Sequence, residues 1–160
     1  GICMTERLDQ LYQEVILEHN KNPKNFCEID NANAYAHGLN PLCGDDYQLF
    51  LKVAENDLIE DVSFTGCGCA ISKSSASMMT STVKGKSIAD AKMLRKLFHQ
   101  LVTAENLEQE NKQALGKLKI FAGVKKFPMR VKCATLIWHA LEDALNDIGS
   151  IDKTKSISTE

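Results

Sequence analysis

Apolar residues recur at helical spacing near the start of the chain. Leu8, Leu11, Tyr12, Val15 and Ile16 fall on one face of the segment ERLDQLYQEVILEHNKNP, which predicts an amphipathic helix closed by Asn22-Pro23. Residues 24–46 are rich in Asn, Gly, Pro and Asp and read mostly as loop, with a short strand around Ala34 to Gly38. YQLFLKVA (47–54) and LIEDVSFTG (58–66) read as strands; the END between them predicts an antiparallel hairpin. The pattern then turns helical. AISKSSASMMTSTVKG runs to a stop at Gly85, and SIADAKMLRKLFHQLVT follows with Ser87 or Asp90 as its cap. AENLEQENKQALGKLKIFAGVKKFP is polar and then partly apolar, the pattern of a loop with a short helix. Pro128 introduces a last long helix, about Arg130 to Asp147, with Ala134, Ile137, Trp138, Leu141, Ala144 and Leu145 as its apolar stripe.

Helix, strands, then several helices is an α+β order: a small antiparallel sheet of about three strands packed against several α-helices, without the βαβ alternation of a nucleotide-binding sheet. The 160 residues fit one domain, placed at 5–147. Residues 1–4 read as a cloning remnant and N-terminus, which sets Cys3 aside, and 148–160 as a flexible polar tail. A net charge of −2 with no basic block argues against nucleic acid. No apolar run is long enough for a membrane span, and no secretory signal precedes the first helix. The expected location is cytoplasmic, where the six cysteines serve as metal ligands or redox groups rather than disulfides.

Three places carry chemistry. In NPLCGDD, Cys43 and Asp45 flank Gly44, and an unusual backbone at that glycine lets a thiolate and a carboxylate converge. In TGCGC, Cys67 and Cys69 stand where a strand gives way to a helix, and Cys133 stands near the start of the last helix. Helix N-termini favour thiolates. Brought together, Cys43, Asp45, Cys69 (or Cys67) and Cys133 form a four-donor set suited to tetrahedral zinc, and three thiolates equally suit an iron–sulfur cluster. Their separations match no short zinc-finger code. Other polar residues have plainer readings: Cys27 as structural, His19, His37 and His99 as surface or satisfied groups, His139 as off the Cys133 face, Met78-Met79 as packing. KGKS at 84–87 lacks the earlier glycine of a phosphate loop, Thr80 standing in its place.

NPLCGDDYQLFL, VSFTGCGCAISKSSASMMT and FPMRVKCATLIWHAL, in that order, resemble the SufU/IscU family of iron–sulfur cluster assembly proteins, as does LDQLYQEVILEHNKNPKN. The likeness runs from about Leu8 to Asp147. IscU-type members carry a His just before the third Cys; here it is Lys132, and an insertion spans about Ala104 to Lys125. Both features resemble the SufU branch. That resemblance implies Cys43, Asp45, Cys69 and Cys133 as zinc ligands and Cys43 as the sulfur acceptor, with Cys67, Arg130 and Lys132 as accessory candidates and Arg130 as a partner for Asp45 or for the anionic site as a whole. SufU members commonly read G-E-G-C and IscU members G-C-G-S; this chain reads G-C-G-C, and the insertion and Lys132 favour Cys69 over Cys67. The implied function is a zinc-dependent sulfurtransferase that takes persulfide sulfur from a SufS-like cysteine desulfurase. It would pass that sulfur to downstream iron–sulfur assembly proteins. The alternative is a scaffold on which a [2Fe–2S] cluster is built and transferred.

Overall fold

The computed structural model describes residues 4–104, 107–149, 151 and 155–159, with side chains from Gln10 onward. Helix α1 (Met4–Lys21) leads through a loop to three strands: β1 (Ala34–Asn40), β2 (Asp45–Val53) and β3 (Ile59–Cys67). They are followed by α2 (Ala70–Val83), α3 (Ile88–Thr103), α4 (Gln109–Leu115), a 3₁₀ segment (Gly116–Val124) and α5 (Pro128–Asn146). Cys3 lies outside the described residues.

β1 pairs antiparallel with β2 and β2 with β3, in the registers Asn40↔Asp45 and Asp46↔Cys67. Alternation sets the faces. Tyr47, Leu49, Leu51 and Val53 point into the core, while Asp46, Gln48 and Lys52 point away. The hairpin register therefore turns Asp45 inward, on the same face as Tyr47.

The sheet has a fourth strand that the polar pattern of the tail did not predict. Ile157–Ser158 (β4) pairs parallel with β1, giving the order β3-β2-β1-β4. Backbone pairing at a sheet edge needs no hydrophobic signature, so a segment expected to hang free instead lies on the sheet. The insertion also holds more structure than a loop with a short helix. After α4, the 3₁₀ segment buries Leu118, Ile120, Phe121 and Val124, and Phe121 packs edge-on against both Tyr12 and Phe98.

Helix α2 explains the Ser-rich run. Ser72, Ser74, Ser75, Ser77 and Thr80 are all buried, and their small side chains let neighbouring elements approach closely. Their hydroxyls are satisfied locally or across the packing: Ser74 donates to Ala70 O, and Ser75 to Ala134 O at 2.6 Å, fastening α2 to α5 one residue past Cys133. Ser77 Oγ meets His19 Nδ1 and accepts from Lys24 N, both at 2.7 Å. His19 is thus a satisfied polar group.

Trp138 on α5 is 2 % exposed and stacks on Phe98 with ring centroids 4.7 Å apart. Among the described residues no helix is long and apolar enough to cross a membrane. Because Trp138 fills the seam between α3 and α5, Trp138→Ala is expected to lower the unfolding free energy by about 3–5 kcal/mol. Urea unfolding followed by far-UV circular dichroism checks this; a loss below about 1 kcal/mol would show that the seam closes without the ring.

Candidate metal centre

Three segments distant in sequence meet at one end of the sheet. The β1–β2 turn brings Cys43 and Asp45, the exit of β3 brings Cys67 and Cys69, and α5 brings Cys133. Gly44 takes φ +73°, a left-handed conformation that costs a side-chain-bearing residue strain, and it reverses the chain between Cys43 and β2. Cys43 N donates to Asn40 O at 3.2 Å to close the turn.

The Sγ atoms of Cys43 and Cys133 and a carboxylate oxygen of Asp45 all lie within 4.8 Å of one another. Cys69 adjoins the same cluster through Asp45, whose Oδ1 accepts from Cys69 N at 2.9 Å, although its sulfur is not among the three ligand atoms that lie within that distance of one another. The β3 exit is shaped by two glycines. Gly66 has φ +133°, and a Cβ there would collide with the Asp46 carbonyl. At Gly68 a Cβ would stand 2.5 Å from Asp45 Oδ1, 2.6 Å from Ser72 Oγ and 2.7 Å from Tyr47 OH. The absent side chain is the space in which those three groups meet.

Asp45 is 1 % exposed. Its Oδ1 accepts from Cys69 N at 2.9 Å and from Ser72 Oγ at 3.0 Å. Tyr47 OH lies 2.9 Å from Ser72 Oγ; since that hydroxyl's proton goes to Asp45, the phenol is the donor in a Tyr47–Ser72–Asp45 relay. Asp45 Oδ2 is buried with no hydrogen-bond partner. An unpaired buried carboxylate oxygen costs several kcal/mol, and a cation bound beside it removes that cost. With one oxygen saturated, Oδ2 is the one with a lone pair to give.

The donor set fits zinc. Tetrahedral Zn–S and Zn–O bonds hold their ligand atoms about 3.5–3.8 Å apart, a spacing compatible with the 4.8 Å within which the ligand atoms of Cys43, Asp45 and Cys133 lie. Asn40, fully buried, directs Nδ2 at Cys133 Sγ across 3.7 Å, a second-shell contact of the kind that orients metal ligands.

The thiols differ in protonation. Cys69 is the N-cap of α2, and its sulfur accepts from Ser72 N at 3.4 Å. The hydrogen bond from Cys133, reinforced by that N–H against the opposing effect of burial, pulls its pKa down to about 6. Cys133 is driven the other way, first by its bond to the Cys69 thiolate, then by burial and by Cys43 and Asp45. The expected helix-dipole effect is absent at Cys133. The helix begins at Pro128, so this residue sits beyond the first turn and is buried among anionic groups.

The accessory candidates separate. Cys67 ends β3 opposite Asp46 and is exposed. Arg130 is not the partner of Asp45: its guanidinium stacks over the Phe127 ring at 4.3 Å, and it lines a groove with Tyr12 and Ile71. Lys132 lies one helical position from Cys133, on a different face, and lines a separate cleft with His99, His139 and β4. Cys27 is exposed, and His37 pairs with Asp46. Sequence reasoning missed Asn40, Tyr47 and Ser72. Asn40 sits in the loop-like stretch beside the Cys motif, and Tyr47 and Ser72 read as ordinary strand and helix positions.

Residues 11–134 match the family described as the NifU-like N terminal domain. The chain is 44% identical over 135 residues to "Zinc-dependent sulfurtransferase SufU" of Bacillus subtilis (strain 168), covering 84% of this chain and 89% of that protein. It is 42% identical over 139 residues to "Iron-sulfur cluster assembly scaffold protein IscU" of Streptococcus pyogenes serotype M1, covering 87% and 85%. It superimposes with a TM-score of 0.78 on the crystal structure of a putative iron-sulfur cluster assembly scaffold protein for the SUF system from Fervidobacterium islandicum AW-1. That pair is 35% identical, covering 85% of this chain and 97% of the other.

Because Cys133 holds its proton in the metal-free protein, zinc must displace it to bind. Affinity should fall at least about tenfold for each pH unit lowered from 7 to 6, one proton released giving one decade. Competition against a chelator at several pH values checks this; a pH-independent affinity would contradict the protonation pattern.

Proposed function

From the premise that this chain belongs to the NifU-like N-terminal domain family, we propose that it is a zinc-dependent sulfurtransferase of iron–sulfur cluster assembly, accepting persulfide sulfur on Cys43. The observation that carries the reading is the orphaned Asp45 Oδ2 within a cluster of cysteine sulfurs. The ligand set is Cys43, Asp45, Cys69 and Cys133. The likeness to a protein named for zinc and sulfur transfer supports the same reading.

Bound zinc keeps its thiolate ligands deprotonated near neutral pH. The protein's own residues decide which thiolate reacts. Cys133 is 4 % exposed and held by Asn40 and Cys69. Cys69 is fixed by the α2 N-terminus. Cys43 and Cys69 are both half-buried, but Cys43 stands in a turn next to exposed Leu42 and open space at Gly44, away from a helix end, and it is the thiolate we assign to the donor. It attacks the outer sulfur of the cysteine persulfide on a desulfurase. The donor's S–S bond breaks, an S–S bond forms on Cys43, and the donor cysteine leaves as thiolate with the electron pair. No net oxidation occurs. The donor is a SufS-like cysteine desulfurase and the recipients are iron–sulfur assembly proteins. Exposed thiols among the described cysteines suit a reducing compartment, the cytoplasm.

A second reading, a scaffold carrying a [2Fe–2S] cluster as cargo, is favoured by one observation. A relative 42% identical to this chain bears the scaffold name. Purified protein that is colourless with one zinc and stimulates a desulfurase supports sulfur transfer. Brown protein that hands a cluster to an apo acceptor supports the scaffold.

Incubation with desulfurase and cysteine, followed by mass spectrometry, should find persulfide on Cys43. Cys43→Ala should lower sulfur acceptance at least about a hundredfold, as expected when the attacking atom itself is removed. Undiminished acceptance by that variant, or persulfide confined to Cys133, would overturn the assignment.

A further inference from the structure

The C-terminal strand touches the two segments that build the metal centre, each one residue from a functional side chain. β4 pairs as Gly38↔Ile157 and Leu39↔Ser158. Beyond it, Thr159 N donates to Leu39 O at 3.1 Å, and Thr159 Oγ1 donates to Lys132 O at 3.4 Å. Leu39 precedes Asn40, whose carbonyl closes the Cys43 turn and whose amide reaches Cys133 Sγ. Lys132 precedes Cys133. One residue thus bridges the end of β1 and the early turns of α5, the gap across which the centre is assembled.

We propose that this strand is a clamp on the metal centre and that Thr159 is its positioning residue. With β4 docked, the β1 end and α5 keep the separation at which Cys43, Asp45 and Cys133 converge. With it lifted, that separation is free to breathe and the centre holds its ion less firmly.

Two features make the clamp releasable: it is a sheet edge two residues long, and one side of it is open. Among the described residues its other fastenings include Gly149 N to Asn33 O at 2.6 Å and a Lys155–Asp143 ion pair at 3.3 Å whose lysine is exposed. Beside β4 lies a cleft of about 540 Å³ lined by His99, Lys132, His139, Ile157 and Thr159, so one side of the strand opens to solvent, while Ile157 is only partly buried against the core. A sulfur-transfer centre has to be firm enough to retain zinc and loose enough for Cys43 to react, and a detachable strand next to two of its segments sets that balance.

The inference rests on the zinc reading above, and the test separates the two. Wild type, Thr159→Ser, Thr159→Val and Thr159→Pro are loaded with zinc, and metal loss to a chromophoric chelator is timed. Thr159→Ser keeps both hydrogen bonds and should match wild type. Thr159→Val, lacking the hydroxyl, should release zinc about threefold faster, and Thr159→Pro, lacking the N–H as well, about tenfold faster. Amide hydrogen exchange is then measured on the metal-free proteins. In Thr159→Pro, protection should fall in 38–45 and 131–136 while α3 is unchanged.

A strand that merely adds stability would leave zinc release unaltered and give no rescue by serine. Equal release from all four proteins, or unchanged exchange in both segments, overturns the clamp. Wild-type protein that takes up no zinc overturns the metal reading instead, and the exchange measurement then decides the clamp alone.

Discussion

The buried carboxylate of Asp45 is the constraint around which this end of the molecule is arranged. A carboxylate so deeply enclosed is costly unless both oxygens are satisfied, and the chain satisfies one of them with care. Gly68 has no side chain, which leaves room for Oδ1 to meet Ser72 and lie near Tyr47. Helix α2 starts where the Cys69 N–H is still unpaired by the helix and points at the same oxygen. Tyr47, held inward by strand alternation, orients the Ser72 hydroxyl. The fold completes half of a coordination problem and leaves Oδ2 among sulfurs for an ion to complete.

That arrangement divides the labour among the thiols. Cys133 is enclosed and proton-bearing, Cys69 is capped by a helix N-terminus, and Cys43 stands in an open turn. Zinc affinity and the local fold are therefore one problem, since the ion would join the β1–β2 turn, the β3 exit and α5, which are otherwise linked here by a few hydrogen bonds. In the proposed sulfur-transfer reading, the same asymmetry presents one thiolate to a partner while the other ligands stay behind it.

Much of this was legible in the residues, and the rest was hidden for physical reasons. Helical periodicity located α1, α3 and α5, while α2, buried on most sides from Ser74 to Thr80, has no single stripe and was legible from its run of small residues up to Gly85. Alternation and END placed the hairpin. The conjunction of C-G-D, G-C-G-C and the late Cys133 pointed to a shared site, and Cys43, Asp45 and Cys133 do converge, while Cys69 adjoins them through its N–H on Asp45. β4 was illegible because edge pairing uses backbone groups, which Ile157 and Ser158 do not advertise. The 3₁₀ segment was read as mostly loop because its apolar residues, Leu118, Ile120, Phe121 and Val124, do not follow a 3.6-residue period. Arg130 and Lys132 sit close to Cys133 in sequence, but helical rotation sends them to an aromatic ring and a separate cleft. Asn40 and Ser72 carry no motif of their own, since their contacts with Cys133 and Asp45 are defined only by what lies opposite in space.

The central claim is that Asp45 gives its unpaired oxygen to a metal held otherwise by three cysteines. Zinc K-edge X-ray absorption on the zinc-loaded protein tests it most directly. The account requires three sulfur scatterers at about 2.3 Å and one oxygen at about 2.0 Å, with the oxygen shell lost or displaced in Asp45→Ala. A four-sulfur shell, which would bring in Cys67, or a wild-type spectrum unchanged by Asp45→Ala, would contradict it.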